Sequence, residues 1–161
     1  MKKICFVCLG NIVRSPLAEA LFWLQVVSVG AKDQYEVDSA GTSDWHIGEA
    51  PDARMRRVAA RHGLIYDHRA RQFLRRDLDY FDLVIAMDRD NRLSLLAMAN
   101  SEEQRQKIFL LREFDPQGGP NASVPDPYYS GVDGFEEVYQ VIERAVTGLF
   151  DHLSQSKDGS Q

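Results

Sequence analysis

The chain predicts a three-layer α/β/α domain on a four-stranded parallel sheet, and three observations predict it. Short β-rich runs alternate with helical patterns, as strands joined by crossover helices do. A length of 161 residues at 44% apolar is enough to bury one core and hardly two. The first apolar run, Ile4-Cys5-Phe6-Val7, leads through a short polar loop into an amphipathic stretch opened by Pro16. That is a strand, a loop and a helix N-terminus in succession.

The strands are predicted at 2–7, 35–39, 82–87 and 107–111. Pro16 to Val29 reads as a helix with Pro at its first position and Ser15 as a favourable N-cap. Pro51 to His62 reads as another, closed by Gly63. Asp88 caps a helix over 89–99. The last helix, 134–153, repeats apolar residues at Phe135, Val138, Ile142, Ala145, Leu149, Phe150 and Leu153, which gives one core-facing stripe. Residues 1–153 are therefore expected to form a single domain, and 154–161 a disordered tail. The irregular stretch 112–132 holds four of the six prolines, and a loop of that length in a compact domain is usually functional or mobile.

A formal charge of −5 offers no general attraction to nucleic acid or to an anionic membrane. Eight arginines fall between Arg54 and Arg76. With few aromatics interleaved, they read as a solvated face rather than a nucleic-acid stripe. Two cysteines, no apolar stretch near 18 residues and no hydrophobic leader predict a cytoplasmic protein with reduced thiols.

The chemistry concentrates at Cys8-Leu9-Gly10-Asn11-Ile12-Val13-Arg14-Ser15. In an open parallel sheet, ligands bind beyond the carboxyl ends of the strands, and Cys8 falls at that end of the first strand. Backbone N–H groups of residues 9–14 can curl around an anion at a helix N-terminus. The expected bound species are inorganic phosphate and similar oxyanions. Such surroundings favour the thiolate of Cys8, the form that attacks phosphorus. The planar fork of Arg14 can bind two phosphate oxygens at once. Ser15 could donate to the Cys8 sulfur. Gly10 and Asn11 tolerate left-handed backbone, as a tight loop requires. Taken alone, a Cys and an Arg six apart is a modest signal, since buried cysteines are often small hydrophobes.

The wider sequence sharpens it. Val7 to Pro16 resembles the signature of the low-molecular-weight protein tyrosine phosphatases. The resemblance returns in Asp38-Ser39-Ala40-Gly41-Thr42, in Trp45, in Asp67-His68-Arg69-Ala70-Arg71-Gln72, in Met87-Asp88 and in Asp126-Pro127-Tyr128-Tyr129. It implies hydrolysis of phosphotyrosine in protein substrates, with Cys8 as nucleophile, Arg14 as phosphate clamp and Asp126 as general acid and then base. It implies that Tyr128 and Tyr129 wall a crevice for an aromatic leaving group, that Trp45 flanks its mouth, and that either tyrosine could itself be phosphorylated. Asn11, Ser15, Ser39 and His68 are implied to share a hydrogen-bond network that holds the loop rigid. Asp88 is read as a helix cap in support of the site. No metal or other cofactor is expected, because the histidines have no metal-ligand spacing with either cysteine. The protein is expected to act as a monomer or to self-associate weakly.

One position departs from the pattern. Val13 stands where the family commonly has a second loop cysteine, and Cys5 is a poor substitute because side chains three apart on a strand point to opposite faces. Four rival readings remain. An arsenate reductase would need further cysteines after Cys8. A protein arginine phosphatase typically carries Thr where this chain has Ile12. A thiol oxidoreductase would place the Cys5-Phe6-Val7-Cys8 pair at a helix start rather than inside a strand. A non-catalytic phosphate-binding module would not need Asp126.

Overall fold

A computed structural model describes residues 1–127 and 132–159. Its four strands, β1 (Lys2–Cys8), β2 (Tyr35–Gly41), β3 (Leu83–Ala86) and β4 (Ile108–Leu110), form one parallel sheet in the order β2-β1-β3-β4. The helices are α1 (Arg14–Ser28), α2 (Ala53–Arg61), α3 (Asp77–Tyr80), α4 (Arg89–Met98), α5 (Glu102–Arg105) and α6 (Val132–Gly159). The central strand β1 explains the layers. Ile4, Phe6 and Cys8 point into a core shared with α1, α2 and α6, while Cys5 and Val7 point into a second core with Phe73, Leu78, Phe81 and Leu95. A strand buried on both faces has no room for polar alternation, hence the continuous apolar run.

The stripe expected on the last helix is the face α6 buries against α1 and α2. Phe135, Val138, Ile142, Ala145, Leu149 and Phe150 are buried, and Leu153 packs at the edge. Each large side chain removed from water there contributes about 1.5–3 kcal/mol. Gly63 closes the turn after α2 with φ of 84°, where a side chain would strain the backbone.

Three expectations need correction. Helix α1 starts at Arg14, two residues early, so Ser15 is not the N-cap. The cap position is Val13, and the Ser15 hydroxyl turns toward the sulfur of Cys8 instead. Gly10 does not share the left-handed backbone of Asn11, whose φ is 57°. Helix α6 does not stop at 153 but continues to Gly159, since Ser154-Gln155-Ser156-Lys157-Asp158 contains no helix breaker. The short helices α3 and α5 are too brief for periodicity to reveal.

Candidate active site

The loop from Cys8 to Arg14 leaves the carboxyl end of β1, where strand order reverses between β1 and β3. Its carbonyls are tied outward. Cys8 O accepts from Thr42 N–H at 2.9 Å, Leu9 O from Ser43 N–H at 3.0 Å and Ile12 O from Asp52 N–H at 2.8 Å. The loop lies so close on Gly41 that a Cβ there would fall 2.8 Å from Leu9 O and 3.2 Å from Asn11 N. Gly10 is small for a different reason: a Cβ on it would meet the His46 ring at 3.0 Å.

Asn11 is the hub of the network that the resemblance implied. Its left-handed backbone brings its N–H to 3.3 Å from Cys8 Sγ. Its Nδ2 donates to Ser15 Oγ at 2.9 Å and to Ser39 Oγ at 3.0 Å, while its Oδ1 accepts from Arg71 N–H at 2.9 Å. His68 Nε2 stands 2.8 Å from the same Oδ1, so that nitrogen carries the proton. Because Ser15 Oγ accepts from Asn11, its own hydrogen is available to the Cys8 sulfur 3.0 Å away. The predicted quartet Asn11, Ser15, Ser39 and His68 thus meets in one network.

Glu19, missed by the sequence reading, ends this chain. Ser39 Oγ donates to Glu19 Oε1 at 2.7 Å, and His68 Nδ1 lies 3.4 Å from the same oxygen. Burial, helped by Asp38 and opposed by the Ser39 bond and Arg71, pushes the Glu19 carboxyl up to about 7. Burial also lowers His68. Glu19 sits one helical turn after Ser15, on the same face of α1, and that i, i+4 spacing was the available signal. Donor atoms of Glu19, Asp38 and His68 fall within 4.8 Å of one another. Arg71 Nε already holds Asp38 at 3.0 Å, however, and Ser39 holds Glu19.

Arg14 is buried, its side chain only 3% exposed, with both ends of its fork engaged. Nη1 donates to Asp88 Oδ2 at 2.7 Å and to Val124 O at 3.0 Å, and Nη2 lies 3.4 Å from Asp126 Oδ2. Burial alone would lower Arg14, but Cys8, Asp88 and Asp126 outweigh it and hold it above the ordinary arginine value. Asp88 is the predicted cap as well: its Oδ1 accepts from Asn91 N–H at 2.7 Å at the start of α4.

Cys8, Leu9, Gly10, Ile12, Val13, Arg14, Trp45, His46 and Asp126 line a cavity of about 170 Å³. Trp45 is 67% exposed at its rim. His46 was not anticipated; its Nδ1 lies 2.7 Å from Glu49 Oε2. Tyr128 and Tyr129 lie outside the described residues.

The side chains of Cys8, Arg14 and Asp126 share one small cavity at the carboxyl end of a parallel α/β/α sheet, which is the architecture of a phosphoric monoester hydrolase. The model of the low molecular weight phosphotyrosine protein phosphatases matches residues 3–159, and the chain belongs to this family. A Streptomyces coelicolor low molecular weight protein-tyrosine-phosphatase is 45% identical over 98% of this chain and 96% of its own. The crystal structure of an Entamoeba histolytica protein tyrosine phosphatase superposes with a TM-score of 0.91 at 39% identity, covering 98% of this chain and 99% of that one. A drosophila arginine phosphatase gives 0.84 at 34%, covering 95% and 98%. Among the described residues, no helix is long and apolar enough to cross a membrane.

Proposed function

We propose that this phosphatase hydrolyses phosphotyrosine in protein substrates through a phosphocysteine intermediate formed on Cys8. The carrying observation is that Arg14 spans Asp88 and Asp126, so the loop arginine and the distal acid face the same small cavity as the sulfur. Cys8 Sγ attacks phosphorus, and the S–P bond forms as the P–O bond to the phenol breaks. Asp126 gives its proton to the leaving oxygen, then takes one from the water that displaces the thiolate and releases phosphate. Arg14 binds two of the phosphoryl oxygens throughout. The Ser15 hydroxyl supports the thiolate when it attacks and when it leaves. Asn11, Ser39 and His68 keep the loop in shape before substrate arrives.

The apolar wall of Leu9, Ile12 and Trp45 suits a flat ring beside the phosphoryl group. Ile12 in place of Thr favours phosphotyrosine over phosphoarginine. With two cysteines in the chain, an arsenate reductase lacks its relay thiols. A reduced thiol nucleophile fits a cytoplasmic setting.

Phosphate release from peptides bearing phosphotyrosine, phosphoserine or phosphoarginine, by wild type, Cys8→Ser and Asp126→Ala, tests this reading. Phosphotyrosine is expected to dominate. Cys8→Ser should be inactive, and Asp126→Ala should lose most on poor leaving groups. Undiminished turnover by Cys8→Ser overturns the mechanism, and preference for phosphoarginine overturns the substrate.

A further inference from the structure

A second and larger hollow, about 580 Å³, lies along α1 and the edge strand β2. It is lined by Pro16, Glu19, Trp23 and Val27 of α1, by Glu36 and Val37 of β2, and by Ile65 and Asp67, among others. Among the described residues it shares none with the cavity above Cys8. Its volume is that of a small-molecule site.

Two features need an explanation. The outer face of α1 carries Trp23, Leu24 and Val27 where a surface helix would carry polar residues, and Ile65 stands 84% exposed across from them. The charged side chains of its lining are all acidic, Glu19, Glu36 and Asp67, three carboxylates against the one N-terminal ammonium of Met1, with no Lys, Arg or His side chain among the described lining residues. Nearby cations are engaged elsewhere. Lys3 sits 4.3 Å over the Tyr80 ring, and Arg71 holds Asp38 and Asp77. Arg69 is 3.9 Å from Asp67, a loose and exposed pair.

We infer that this hollow binds a small organic cation, an ammonium group carried on a flat apolar body, and that its occupation raises the activity of the distant loop. The ring would lie against Trp23 and Ile65, a setting in which an indole face also attracts the charge. The cationic head would meet Glu19. That carboxylate faces Ser39 and Asp38 of β2 and His68 and Arg71 of the segment after α2, and it touches the loop through one serine. An ionised Glu19 only accepts, so it fixes the Ser39 hydroxyl toward itself and leaves the Ser39 lone pair for Asn11 Nδ2. A protonated Glu19 can donate and so releases that constraint. A bound ammonium keeps Glu19 ionised, and its effect on rate is therefore expected at or below pH 7 and absent near pH 9.

The probe is 2-phenylethylammonium, compared with 2-phenylethanol and phenylacetate. Binding is followed by the indole N–H resonances of Trp23 and Trp45, assigned with Trp45→Phe, and activity by hydrolysis of an aryl phosphate. The ammonium should shift the Trp23 resonance and bind at least tenfold tighter than the alcohol. It should raise kcat at least twofold at pH 6.5. Ile65→Ser, far from the loop, should keep basal activity and lose most of the binding. Equal affinity for the ammonium and the alcohol, a shift confined to Trp45, undiminished binding by Ile65→Ser, or binding without a rate effect each overturns the inference. The Trp23 readout does not depend on which phosphate ester the enzyme prefers, so this test and that of the proposed function fail separately.

Discussion

Asp88 holds Arg14 with one carboxylate oxygen at 2.7 Å while its other oxygen caps α4 through Asn91 N–H at 2.7 Å. The helix start and the arginine proposed to clamp phosphate therefore depend on the same side chain. Asn is as good a cap as Asp but carries no charge. Asp88→Asn should keep its melting temperature within a few degrees. It should lose roughly 10- to 100-fold in kcat/KM, as expected for a charge-assisted bond of about 1.5–3 kcal/mol. Inhibition by inorganic phosphate should weaken in parallel. A variant with wild-type kinetics would show that Val124 O and the loop hold Arg14 without Asp88.

Gly41 makes a steric prediction. A Cβ at this position would press on Leu9 O at 2.8 Å and on Asn11 Cβ at 3.2 Å, and the backbone it meets cannot swing aside. Gly41→Ala should push the loop outward, cutting kcat/KM by about 100-fold for a displacement near 1 Å. The stability cost should be only about 1–3 kcal/mol. Gly119→Ala, with nothing within 4 Å, serves as the control and should match wild type in both measurements.

The residues these two predictions use were unevenly visible in the sequence. The loop and its Arg14 were legible because strand, loop and helix are contiguous and their residue types speak for themselves. The roles of Gly41 and Glu19 were not, because each is defined by what lies behind the loop after β2 and α1 have packed. Of the two roles the sequence offers Ser15, the contact with the Cys8 sulfur holds and the cap does not: Pro usually opens a helix, whereas here the loop already adopts helical backbone at Arg14. His46 escaped notice because a histidine in a polar loop gives no sign that its ring will rest on Gly10.

Glu19 sets a pH dependence whose sign can be worked out. Unfolded, the carboxyl releases its proton near 4.5; folded, burial keeps it until about 7. Between those values the folded state binds more protons, so stability is fully present below 4.5, falls as pH rises through the window and levels off above 7. The total is at most ~3 kcal/mol. His68, lowered chiefly by burial, acts oppositely by adding stability as pH rises toward its ordinary 6.5. The difference between wild type and Glu19→Gln isolates Glu19. Relative to that variant, the unfolding free energy of wild type should fall between pH 4.5 and 7, and a flat difference would place Glu19 in ordinary solvent contact.

Oxidation should separate this chain from relatives with two loop thiols. Cys5 and Cys8 belong to opposite cores of the sheet, and the chain has no third cysteine. Peroxide converts the Cys8 thiolate to a sulfenic acid, and with no thiol beside it to form a disulfide, a second peroxide carries it to the sulfinic acid that dithiothreitol cannot reduce. Val13 is buried and lines the same cavity as Cys8, so a thiol introduced there would stand where it could capture the sulfenic sulfur and release water. After excess peroxide and then dithiothreitol, wild type should recover little activity and Val13→Cys most of it. Mass spectrometry should find two added oxygens on Cys8 in wild type. In the variant, before reduction, it should find a disulfide between Cys8 and the introduced thiol. Full recovery of the wild type would show that Cys8 has another protector.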